Sequence, residues 1–195
     1  MPVAKIKTAE IAKSYGARIV KGGLPARGRN NGTRVAKSDL LLFLDADVLM
    51  QKNFLKFCVD EIRRKQLGTA TCYARPLSKN ILDIIAFEIG NFWIRLLKRL
   101  KPYASGFCIF ALKKVHNKIR GFDESLKYGE DSHYVERAAK IAKFDVINRV
   151  IFTSVRRFEK EGRLKCFAKY IYLTFYRLFK GEVREDVHYK FDHYD

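Results

Sequence analysis

Apolar and polar positions fall into blocks that alternate between helical and strand-like spacing. Lys5 to Tyr15 predicts a helix stopped by Gly16, followed by a short strand, Ala17-Arg-Ile-Val20. Lys21 to Asn31 holds Gly22, Gly23, Pro25 and Gly28 among polar residues and predicts a loop. A helix through Val35 to Lys37 leads into Asp39-Leu-Leu-Leu-Phe-Leu-Asp-Ala-Asp47. That unbroken apolar run flanked by acids is expected of a strand buried on both faces. Asn53 stands where it would cap a helix from Phe54 to Lys65, with Phe54, Phe57, Cys58 and Ile62 on one side. Further strands are predicted at Thr69 to Ala74, Gly106 to Leu112 and Val146 to Val155. Further helices are predicted at Leu82 to Lys101, Glu130 to Lys143 and Leu164 to Phe179. Strands of the buried type alternating with helices predict an α/β protein with a mostly parallel sheet flanked by helices.

Composition narrows the class. The chain has 195 residues, 48% of them hydrophobic and 31% charged, which suits one folded domain and excludes a disordered tail as the main reading. Lys and Arg number 39 against 21 Asp and Glu, a net charge of +18. Such an excess favours a polyanionic partner: nucleic acid, nucleotide phosphates or an anionic membrane face. Cys58, Cys72, Cys108 and Cys166 form no CxxC pair, against a zinc ribbon or a redox motif, and read as reduced thiols of a cytosolic protein. The start, Met1-Pro2-Val3-Ala4-Lys5, has no apolar secretory core. Ile81 to Leu100 is the most apolar stretch, but Asp83, Glu88, Arg95, Lys98 and Arg99 interrupt it too often for a bilayer span.

Several groups of residues carry candidate chemistry. In a strand, Asp45 and Asp47 would point to the same side and converge where the strand ends, the usual ligand position in open α/β sheets. Two carboxylates with open positions suit a hard divalent cation that also takes phosphate oxygens. The plainer alternative is one Asp capping a turn and the other solvated. Arg27 and Arg29 are placed to meet a diphosphate or neighbouring carboxylates, with Gly28 and Gly32 permitting close backbone approach. Downstream stand Gly121-Phe-Asp-Glu124, then Glu130-Asp131 and Arg137. Acids at a helix start are also favoured by the helix dipole alone.

In order, these pieces resemble the family 2 glycosyltransferases with the GT-A fold. The resemblance runs from Thr8-Ala-Glu-Ile-Ala-Lys-Ser-Tyr-Gly-Ala-Arg-Ile-Val20 through Gly28-Arg-Asn-Asn-Gly32, Leu41-Leu-Phe-Leu-Asp-Ala-Asp47, Ser105-Gly106 and Gly121-Phe-Asp-Glu124. It continues to Glu130-Asp131…Arg137 and ends with Thr153-Ser-Val-Arg-Arg-Phe-Glu159 and Gly162. It implies a nucleotide-diphosphate sugar donor and a glycosyl transfer, with Asp45 and Asp47 as the DxD pair that holds Mn²⁺ or Mg²⁺ on the diphosphate. Arg29, Asp45, Arg156 and Arg157 would then be donor-binding residues, and a solvated basic loop is the alternative for the last two. Asp131 falls where inverting members place the base that deprotonates an acceptor hydroxyl. Towards an acceptor phosphate, already anionic, Asp131 would instead orient the acceptor or bind Arg137.

Members of the family begin with a strand, a helix and a second strand that read the nucleobase. This chain is expected to start after them, as an N-terminally truncated GT-A domain over residues 1–160, with an amphipathic helix and tail over 161–195. Leu82–Lys101 and Leu164–Phe179 mix aromatic and basic residues, the composition of helices that lie on an anionic membrane, although both would also suit packing on the sheet. The expectation is a peripheral protein on the cytoplasmic membrane face, with a polyprenyl phosphate or lipid-linked glycan as acceptor. The competing reading is a non-catalytic remnant, or a basic module binding nucleic acid or membrane. No nucleic-acid motif is present, so no nucleic-acid partner is expected. The tail from His188 to Asp195 has metal-capable side chains without ligand spacing and reads as loosely docked.

Overall fold

The computed structural model describes residues 6–184, so the tail from His188 lies outside the described residues. The elements in chain order are α1 (Ile6–Ser14), α2 (Pro25–Val35), β1 (Leu40–Leu44), β2 (Val48–Met50), α3 (Phe54–Lys65), β3 (Thr69–Pro76) and α4 (Ile81–Leu97). They continue with β4 (Cys108–Leu112), α5 (Lys113–Lys118), α6 (Glu130–Ala139), β5 (Phe144–Thr153), α7 (Arg156–Glu161) and α8 (Arg163–Lys180).

The strands form one sheet in the order β1-β4-β3-β5-β2, with helices packed on it, so the α/β expectation holds. Its pairing corrects the expectation of a mostly parallel sheet. Only β3 and β5 are parallel; β1–β4, β3–β4 and β2–β5 are antiparallel. The apolar runs report burial of both faces, and burial does not fix direction. In β4, Cys108 and Phe110 enter one core while Ile109 and Ala111 enter the other. The first core sits under α3, where Phe54, Cys58 and Ile62 meet Cys72, Ile147 and Ile151. The second sits under α2 and α6, where Ala26, Tyr134 and Val135 meet Leu41, Phe43 and Phe122. The Thr69 and Thr71 hydroxyls donate to the Phe110 and Cys108 carbonyls at 2.8 Å each, extending the β3–β4 joint.

Three local expectations are corrected. Ala17–Val20 forms no strand. A lone extended segment needs a neighbour to satisfy its backbone, and no described strand pairs with it. The expected loop over 21–31 is mostly helix α2. Pro25 starts it at a position where the missing N–H costs nothing. Tertiary anchors offset the low helix propensity of Gly28 and Gly32: Asn30 donates to Phe122 O and accepts from Phe122 N, both at 2.9 Å. Asn53 precedes α3 but does not cap it with its side chain; it sits at φ 64°, and its carbonyl accepts from Phe57 N.

Helix α4 is fastened by its polar residues. Asn91 donates to Ala74 O at 2.9 Å and accepts from Ala74 N at 3.0 Å, standing in for a strand partner of β3. Asp83, wholly buried, receives Arg163 Nε at 2.8 Å, Arg163 Nη2 at 3.0 Å and the Ser78 hydroxyl at 2.7 Å, joining the starts of α4 and α8.

Candidate functional site

Strand β1 ends at Leu44, and Asp45, Ala46 and Asp47 form the turn into β2. The two acids are therefore displayed by a turn rather than by one strand face, and both are exposed. The Asp47 carbonyl accepts from Ser154 N at 3.1 Å, which ties the turn to the end of β5 just ahead of α7.

From α2, Arg29 reaches across to this turn. Its Nη2 donates to Asp45 Oδ1 at 3.1 Å and its Nη1 to Glu130 Oε1 at 2.7 Å, while the guanidinium packs 5.3 Å from the Phe122 ring centroid. Burial opposes the charge on Arg29, but Glu130, Asp45 and Asp131 outweigh it and hold its proton more tightly than usual. One cation thus gathers acids from the β1–β2 turn and from the start of α6. Arg27 behaves alike on the rim, with Nε 3.0 Å from Glu124 Oε2. Of the two partners open to these arginines, the structure shows the carboxylates.

Asp131 lies in the first turn of α6, entered through Gly129 at φ +75°. Its Oδ1 accepts from Ser132 N at 2.7 Å, and Gly106 N also donates to this carboxylate. Burial and the adjacent Glu130 push it up to about 6, against the opposing pull of Arg29 and of those backbone N–H groups. Tyr103 and Ser105, whose hydroxyls lie 3.1 Å apart, stand in the same segment as Gly106. Asp131 is not the partner of Arg137, which instead donates to the carbonyls of Ile119 at 2.6 Å and Gly121 at 2.5 Å and fixes the turn before Phe122.

Arg156 and Arg157 open α7 rather than a loop. Arg156 is exposed, two residues past the Ser154 that holds Asp47. Arg157 is turned towards α8, with Nη1 3.3 Å from the Tyr170 hydroxyl and Nε 4.0 Å from Glu161. The sequence names Glu130 beside Asp131 but gives it no role of its own, whereas in the structure it holds Arg29. Its adjacency to Asp131 was the available signal, hidden because acids at a helix start need no other explanation.

Asp45 and Asp47 are hard oxygen donors on an exposed turn. Among the described residues no group of three or more metal-ligating side chains gathers. The pair fits a divalent cation completed by oxygens of a phosphate-bearing ligand, and does not fit an all-protein cage.

The glycosyl transferase family 2 profile matches residues 5–120 of the chain. No curated protein matches it. Among solved structures, S. aureus TarS 1–349 is similar with a TM-score of 0.58 and 16% identity, over 78% of this chain and 49% of that one. TarS 1–349 in complex with UDP-GlcNAc gives 0.56 and 17%, over 77% and 46%. The mannosyltransferase PcManGT from Pyrobaculum calidifontis, in complex with GDP-Man and Mn²⁺, gives 0.54 and 17%, over 76% and 43%. The chain spans about half the length of these structures or less.

Proposed function

Because the chain belongs to glycosyl transferase family 2 and has a GT-A fold, we propose that it moves a sugar from a nucleotide-diphosphate sugar to a lipid-linked acceptor, with inversion. The observation that carries this reading is Arg29, which binds Asp45 and Glu130 at once and so assembles α2, the β1–β2 turn and α6 around Asp131. The UDP-GlcNAc and GDP-Man held by similar folds support the class of donor, and the Mn²⁺ beside GDP-Man supports a divalent metal.

Asp45 and Asp47 would hold Mn²⁺ or Mg²⁺; when bound, such an ion neutralises charge on a diphosphate leaving group. Arg29 keeps Asp45 in place, and exposed Arg156 is free to approach the diphosphate. Arg157, held towards α8, braces α7 beneath it. The Asp131 carboxylate, ionised above about pH 6, accepts the proton of an acceptor hydroxyl. Towards a polyprenyl phosphate, which needs no deprotonation, the same carboxylate orients the acceptor. A lipid-linked acceptor places the protein at the cytoplasmic face of an anionic membrane.

Calorimetry with UDP or GDP tests the donor end. The parent should bind in the presence of Mn²⁺ and lose most of that affinity in EDTA. Asp47→Asn should bind weakly under both conditions while retaining its thermal midpoint. Equal Mn²⁺-dependent binding by Asp47→Asn and the parent would overturn the assignment.

A further inference from the structure

Helix α4 is built inside out. Its polar anchors Asp83 and Asn91 point into the protein, while Ile81, Ile85, Ile89, Phe92, Trp93 and Leu96 point away from it, each 48–64% exposed. At about 100° per residue these six side chains fall within roughly a third of the helix circumference, along about 22 Å of axis. Helix α8 repeats the arrangement: Leu164, Ile171, Phe175 and Phe179 are 55–82% exposed and share one face. The two helices meet at Asp83 and Arg163, and the rings of Phe87, Phe158 and Phe167 continue the junction at 6.2 and 5.4 Å between centroids. An exposed apolar face running the length of a helix is unusual on a monomer in water.

The charges beside these faces identify the occupant. Arg95 and Arg99 are exposed along the edge of the α4 stripe, Lys165 is exposed on α8, and the chain carries +18. Two further basic residues of α8 face elsewhere: Lys169 pairs with Glu161 at 3.3 Å, and Arg177 with Glu182 at 2.9 Å and Glu136 at 3.6 Å. No described helix is long and apolar enough to cross a bilayer. An apolar stripe bordered by cations, on a helix that does not span, matches insertion along the plane of an anionic interface.

We propose that the outer faces of α4 and α8 form a single docking platform for an anionic bilayer, pinned together by the Asp83–Arg163 ion pair. The platform deepens the transferase reading by giving a lipid-linked acceptor its route to the protein, and its own test does not depend on transfer. Trp93, the one tryptophan of the chain, sits in the stripe and reports on it. With vesicles of phosphatidylcholine and phosphatidylglycerol, Trp93 emission should shift to the blue and be quenched by brominated lipid. Salt should weaken the effect without removing it. Ile85→Glu on α4 and Phe175→Glu on α8, both at exposed positions, should each lower vesicle partitioning by about tenfold or more while leaving the thermal midpoint and Mn²⁺-dependent nucleotide binding unchanged. Arg95→Gln with Arg99→Gln should weaken binding to the anionic vesicles selectively.

Trp93 emission that ignores anionic vesicles at low salt would overturn the platform, as would a blue shift that appears without vesicles as protein concentration rises, which gives the face to a second copy. Asp47→Asn separates the two readings: it should dock on vesicles like the parent whether or not it binds nucleotide.

Discussion

Gly106 lies directly against the guanidinium of Arg29, so that a methyl group at Gly106 would collide with Arg29 Nη2. An arginine tip ordinarily swings aside at little cost. This one is held on both sides, by Asp45 at 3.1 Å and Glu130 at 2.7 Å, and has nowhere to go without releasing an acid. Gly106→Ala should therefore break the bridge between the β1–β2 turn and α6. Mn²⁺-dependent nucleotide binding should weaken by about tenfold, the worth of one charge-assisted contact. The thermal midpoint should move only a few degrees. Calorimetry and a melt on the same sample check this, and unchanged nucleotide affinity would show that Arg29 is not needed to present Asp45.

Asp131 gives a pH signature with a definite sign. Its folded value of about 6 lies above the ordinary 3.8, so the fold favours the protonated acid. That stabilisation is complete below about pH 3.8 and is lost as pH rises through about 6, while the carboxylate needed for proton transfer appears over the same window. Transfer to a hydroxyl acceptor should rise through about pH 6. Asp131→Asn should remove that limb and lower the rate by about 10²–10⁴. In urea titrations, the variant should gain stability relative to the parent between pH 4 and 7. A stability difference independent of pH would show that Asp131 is not perturbed.

Much of this was legible in the sequence, for identifiable reasons. Apolar periodicity located α3 and α6 and all the strands except the three-residue β2, because burial on one or both faces leaves its mark on residue type. Strand direction left no such mark: β4 is as apolar as any parallel strand because both its neighbours and both its cores cover it. Helix α2 was hidden since Gly28 and Gly32 oppose a helix locally and the counterweight, Asn30 on the Phe122 backbone, is 92 residues away in the chain. Asp45 and Asp47 stand out as candidates by their spacing, and Asp131 only through the resemblance to the family. That Arg29 ties two of the site's segments together through Glu130, that Arg157 leans on Tyr170, and that Arg177 is covered by Glu136 and Glu182, depends on contacts no local pattern encodes.

The Asp83–Arg163 pair is the joint of the docking platform and a test of its rigidity. Asp83 has no exposed surface, and its ionised form is held by Arg163 and Ser78 strongly enough to overcome burial, leaving it below the usual carboxylate range. Removing the cation alone strands the carboxylate. Arg163→Met should lower the urea midpoint, and Asp83→Leu combined with Arg163→Met should recover most of the loss. The contribution of Asp83 is present above its unfolded value and is lost as pH falls through the folded one, so the penalty of Arg163→Met should shrink in acid. Urea denaturation of the three chains at two pH values measures this. A double variant no better than Arg163→Met would mean that shape, rather than charge, holds the joint.

Residues beyond those matched by the family profile brace the loop that leads into Asp131. Lys127 N donates to Val183 O at 2.9 Å, and Tyr128 forms a β-bridge with Val183. Arg177 packs on Gly129 so closely that a Cβ there would stand 3.0 Å from its Nε, and Glu182 fixes that guanidinium with bonds of 3.0 and 2.9 Å. Arg184 adds a contact to Asp123 at 3.3 Å. The end of α8 thus acts as a clamp on residues 123–129, one step ahead of Glu130 and Asp131. Arg177→Ala loosens the clamp while keeping both Glu130 and Asp131. It should speed amide exchange at Lys127 by about tenfold or more, corresponding to the loss of one or two buried charge-assisted bonds, while exchange in β4 stays slow. Arg177→Lys keeps a cation near Glu136 and Glu182 but loses the paired geometry, so it should fall between the two. Mn²⁺-dependent nucleotide binding should survive in both, because Asp45 and Asp47 sit on a different turn, whereas transfer should fall in step with the exchange rate at Lys127. Exchange at Lys127 that does not change in Arg177→Ala would remove the clamp from the account and leave α8 with its outer face alone.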